Sequence, residues 1–155
     1  MRYSLVAFAL LAAPLLAPSR LCAAAPPNFS GTWELDPAKS PDANGATITL
    51  TIEDGSGKIT LQRSVHSKDG KEITSHFTCS PGGAECEYND NGHKAKVSLW
   101  YNGPSLMILK TDGPKEDSTT QWKFELGPDG KILNVHCEHV EPAAKEEDNV
   151  FTKKT

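Results

Sequence analysis

Seven Asn-Gly or Asp-Gly pairs punctuate the chain, and no other feature limits its fold as strongly. They fall at Asn44-Gly45, Asp54-Gly55, Asp69-Gly70, Asn91-Gly92, Asn102-Gly103, Asp112-Gly113 and Asp129-Gly130, and Gly82-Gly83 fills the longest gap. Asn, Asp and Gly tolerate the positive φ that tight hairpin turns demand. Between the pairs lie runs of roughly 8 to 12 residues rich in Thr, Val, Ile, Leu and aromatics. That spacing predicts an antiparallel meander.

The runs alternate with period two, the repeat of a strand with one apolar face. Ile48, Leu50 and Ile52 share one face, and Thr47, Thr49 and Thr51 share the other. The same phase collects Ile59, Leu61, Arg63 and Val65, then Ile73, Ser75, Phe77 and Cys79, then Ala95, Val97, Leu99 and Tyr101. Later faces hold Trp122, Phe124 and Leu126, and Leu133, Val135 and Cys137. Phe29–Asp36, Ala84–Tyr88, Pro104–Thr111 and Asn149–Lys153 complete a set of up to ten strands. Ala143–Asp148 reads as a charged loop, and no stretch carries a helical period. The predicted fold class is all-β: an up-and-down antiparallel meander of 8–10 strands closing into a small barrel, with a β-sandwich as the alternative. Closure removes the unpaired edges that an open meander leaves.

The first residues are of a different kind. Arg2, an apolar run from Leu5 to Ala17, and the small residues after Leu21 read as a secretory signal peptide. Pro14 and Pro18 break the run short of a membrane span, so no membrane span is expected. Arg20 just before Cys22 speaks against a lipidation site. The expected organisation is a signal peptide over residues 1–24 and one β-barrel domain over 25–155, exported to a periplasmic or extracellular compartment. Removing Arg2 and Arg20 takes the net charge from −4 to −6. Such a chain is a poor partner for nucleic acid or for an anionic membrane surface. A monomer is expected.

Few residues carry candidate chemistry. Arg63 is the sole Arg after the leader, and it sits in the inward phase between Leu61 and Val65. An inward guanidinium needs a ligand anion, a buried acid or water to satisfy it. Phe77, Tyr101, Trp122 and Phe124 share inward faces and are candidates to line a ligand pocket with Arg63 as polar anchor. Cys79 and Cys86 flank a Pro-Gly-Gly turn and are expected to form a disulfide after export. Cys137 as the partner of either, or three free thiols, are the alternatives; left over, Cys137 reads as a small buried hydrophobe. His136, Glu138 and His139 cluster on one strand, but nothing in the spacing selects the further ligands a metal needs. No G-x-S-x-G, phosphate-binding loop or H-E-x-x-H motif occurs. These observations predict no enzyme, no cofactor and no metal. They predict a binding module for an apolar or amphiphilic small molecule, with a packed-barrel interaction or structural protein of the cell envelope as the alternative.

The segment Asn28-Phe29-Ser30-Gly31-Thr32-Trp33-Glu34-Leu35-Asp36, followed by Pro37-Ala38-Lys39-Ser40, bears a family resemblance. Gly31-x-Trp33 on a first strand resembles the opening of the calycin superfamily, which holds lipocalins and fatty-acid-binding proteins. The longer segment, behind a signal peptide, is similar to the start of small exported bacterial lipocalin-like proteins. The resemblance implies a structural role for Gly31 and Trp33: the ring closes the barrel floor and packs under the last strand. It covers about 13 residues. Pro37–Gly45 is too short for the helix-turn-helix lid of fatty-acid-binding proteins, and the chain lacks the helix that usually ends a lipocalin.

Overall fold

The structure, a computed structural model, describes residues 25–112, 118–141 and 144–154. The leader and the Asp112-Gly113 turn expected from the sequence fall outside these residues in whole or in part. Ten strands follow one another: β1 Gly31–Leu35, β2 Thr47–Gly55, β3 Lys58–His66, β4 Glu72–Cys79, β5 Cys86–Asp90, β6 His93–Asn102, β7 Ser105–Thr111, β8 Thr119–Leu126, β9 Ile132–Glu141 and β10 Lys145–Lys153. Each pairs antiparallel with the next, and β1 pairs with both β2 and β10, closing the barrel. The sandwich alternative is thereby excluded. Among the described residues no helix is long and apolar enough to cross a membrane.

Two expectations are corrected. The segment read as a charged loop is the first half of β10, paired with β9 from Lys145↔His139 onward. The turn expected at Asp54-Gly55 lies two residues later. There Ser56 (φ 55) and Gly57 (φ 72) both take left-handed conformations, as a two-residue hairpin on a twisted sheet requires. Asp54 remains in β2 opposite Ile59, and its side chain has work elsewhere.

Alternation decides what is inside. The buried core is one cluster drawn from every strand, with Ile52, Ile59, Leu99, Leu106 and Leu133 among its most enclosed members. One barrel end gathers the N-terminus of β1, the C-terminus of β10 and the short β2–β3 and β6–β7 turns. That end is solid. Trp33 is fully buried there, and its Nε1 donates to the Phe29 carbonyl at 3.0 Å. Lys153, its partner across β10, lies over the ring at 5.1 Å. Gly31 takes a φ of 145°, which L side chains rarely adopt, and a Cβ there would also displace the end of the Lys153 side chain. Phe29 stacks on Tyr101 with ring centroids 6.5 Å apart. Asp54 ties the end together: it accepts hydrogen bonds from the Phe29 amide at 3.3 Å and the Tyr101 hydroxyl at 3.2 Å.

A disulfide joins Cys79 on β4 to Cys86 on β5, and Cys137 is free and buried. Closing so short a loop stabilises the fold by about 2–3 kcal/mol on the chain-entropy account. It also holds β5, a short strand of 5 residues, against β4.

Candidate functional site

The other half of the barrel is not filled. A cavity of about 220 Å³ opens at the end where β3, β5, β7 and β9 finish. Its base is apolar: Leu61, Phe77, Phe124, Val135 and Phe151. Its upper wall is polar because the inward phase of several strands passes from apolar to charged residues near the mouth. Tyr88 is followed in phase by Asp90, Ile108 by Lys110 and Cys137 by His139, and Phe151 is preceded by Asn149 and Glu147; all but Ile108 line the cavity.

Charges in this wall are mostly neutralised by neighbours. Lys110, 13% exposed, places Nζ 2.8 Å from Asp90 and 3.0 Å from Asp112, and 5.4 Å from the Tyr88 ring centre. Burial works against the Lys110 charge, but the two carboxylates outweigh it and leave the pKa raised. Glu147 pairs with Lys145. Thr120 and His139 share a hydrogen bond of 3.2 Å. Arg63 is the exception. It is half-buried on the cavity wall, in register between Leu50 and Ser75, and forms no ion pair among the described residues. Its row continues to Asp90, but that carboxylate is held by Lys110. Two buried polar atoms also lack hydrogen-bond partners: Ser75 Oγ, next to Arg63 in register, and Asn149 Oδ1 at the cavity.

Cys137 also faces the cavity, with Sγ 3.9 Å from His139 Nε2. A thiol beside an imidazole invites a catalytic reading, but the electrostatics oppose it. Burial and then the Glu147 charge push the thiol up to about 11, with Arg63 a smaller opposing influence. A nucleophilic cysteine needs the opposite shift. His136 and Glu138 point to the outer face, where His136 pairs with Asp148 at 2.8 Å. Among the described residues no three His, Cys, Asp or Glu side chains are placed to hold a metal.

Of the residues the sequence nominated, Arg63, Phe77, Trp122 and Phe124 line this cavity. Tyr101 does not. Alternation put it on the inner face, but it sits at the solid end against Phe29, with its hydroxyl held by Asp54. Burial and that carboxylate raise its pKa to about 12.

No protein-family model and no curated protein matches the sequence. Solved structures do match in shape. A mutant form of the fluorescent protein UnaG superposes with a TM-score of 0.60 at 16% identity, covering 82% of this chain and 96% of that one. Apo lipid binding protein 8 of Caenorhabditis elegans gives 0.60 at 9% identity, covering 81% and 95%. The chain shares with these proteins the fold of a closed antiparallel β-barrel. The β1–β2 connection holds only a 3₁₀ turn, Pro41–Ala43, and no helical lid. Ser40 anchors this connection to β10, its Oγ accepting from the Val150 amide at 2.9 Å.

Proposed function

We propose that the chain is an exported β-barrel that binds a small amphiphilic molecule in the open half of its interior. The observation that carries this reading is the cavity itself, with an apolar base, a polar mouth and one cation without a partner. A site with one wet and one dry end suits a molecule built the same way. In this reading Phe77, Trp122 and Phe124 meet the apolar part, and Arg63 meets the polar part. Trp33 and Gly31 shape the closed end. Export rests on the leader read from the sequence, and the Cys79–Cys86 disulfide fits an oxidising compartment. The shape shared with a protein named for lipid binding supports the same direction. A packed barrel without a ligand describes the closed half only.

Native mass spectrometry of the exported protein tests the proposal. A bound mass that leaves on denaturation is the expected result. A bare polypeptide mass, together with no saturable binding of any amphiphile, would overturn it.

A further inference from the structure

We infer that the site selects its ligand by length, and that its preferred occupants are monocarboxylates of about six to eight carbons, a chain that spans the two-residue rise from Arg63 to the base. This rests on the binding reading above and narrows it. The first observation is volume. At about 220 Å³ the cavity is smaller than the sites that enclose drug-sized molecules. The second is depth. Phe77 is opposite Leu61, one inward position below Arg63 on the neighbouring strand. Two residues of strand rise about 7 Å. A chain whose head meets Arg63 therefore reaches the aromatic base after a few methylenes. The third is what lies underneath. Ile59, Leu99, Leu106 and Leu133 are fully buried in the solid half, so the base does not open downward.

The head group follows from the charges. Lys110, Asp90 and Glu147 are each paired within the protein, which leaves Arg63 as the cavity charge available to a ligand. A guanidinium matches a carboxylate through two parallel hydrogen bonds. Phe77 and Phe124 form the stop, and they are the specificity-determining residues of this proposal.

Calorimetric titration with straight-chain carboxylates from butanoate to hexadecanoate, kept below their micelle concentrations, tests the inference. Affinity should rise about fourfold per methylene while the chain still fits, as burial of each group dictates. It should peak between hexanoate and octanoate and then stop rising or fall. Octanol should bind about ten- to hundredfold more weakly than octanoate, and Arg63→Met should remove that difference. Phe77→Leu, or Phe124→Leu if the first variant folds poorly, should move the peak to longer chains. Val135→Phe should move it to shorter ones. Affinity that climbs steadily to hexadecanoate would overturn the length limit and leave the binding reading standing. Equal affinity for octanoate and octanol would overturn the assignment of the head to Arg63. No binding by any member, acid or alcohol, would overturn both.

Discussion

Trp33→Ala strikes the closed end where several contacts depend on one ring. Trp33 is fully buried, and it lies on the strand that joins β2 to β10. Replacing so large a side chain by Ala in a core that cannot collapse costs about 3–5 kcal/mol. The change also strands the Phe29 carbonyl, which accepts from Nε1 at 3.0 Å, and removes the surface under Lys153. A domain of this size holds only about 5–15 kcal/mol of net stability. The expected drop in melting temperature is therefore roughly 10–20 °C. Trp33→Phe separates the two parts of the effect. It keeps most of the packing and loses the hydrogen bond, at about 1–3 kcal/mol for the unpaired carbonyl. Thermal unfolding followed by far-ultraviolet circular dichroism measures both. A Trp33→Ala melting temperature within about two degrees of the parent would refute the role given to the closed end.

Arg63→Met should leave the unliganded barrel as stable as the parent or more so, because Arg63 has no acid partner to strand; chemical denaturation checks this, and a marked loss would reveal one. Thiol alkylation of the chain lacking its leader should find one reactive group, Cys137, labelled slowly until the protein unfolds, since it is 6% exposed and its pKa is raised to about 11. Two labelled sites without reductant would contradict the Cys79–Cys86 bond. Stability should fall as pH rises from about 9 to about 12, because Tyr101, raised to about 12, and Cys137, raised to about 11, hold their protons longer folded than unfolded. Below the unfolded values both states are protonated and the loss is absent. Tyr101→Phe should flatten the upper part of that slope, and an unchanged slope would count against the burial of its hydroxyl.

The strand count, the closure and the disulfide were legible because hairpin turns and alternation are local signals. Depth was not. Period two tells inside from outside, but it does not tell one barrel end from the other, and so Tyr101 was grouped with Phe77 and Trp122. Its true place depends on strand direction and on Asp54, which lies 47 residues away. The early part of β10 was missed for a related reason. Its inward-phase residues, Glu147 and the exposed Lys145 at the wet mouth, show no apolar alternation. Asp90, Lys110, His139 and Asn149 escaped the sequence reading in the same way. Extending the apolar phase beyond its last apolar member, from Tyr88 to Asp90 or from Ile108 to Lys110, would have found them. The shifted turn at Ser56-Gly57 reflects competition for Asp54, which stays in β2 and binds Phe29 and Tyr101.

The central claim is that a ligand enters the open half and leaves the closed half alone. The three tryptophans report on it separately. Trp122 lines the cavity, Trp33 is sealed in the closed end, and Trp100 lies outside the cavity on β6. Nuclear magnetic resonance resolves one indole N–H signal for each. Titration with octanoate should move the Trp122 signal in a saturable way while those of Trp33 and Trp100 stay in place. A still Trp122 signal, or equal movement of all three, would contradict the account.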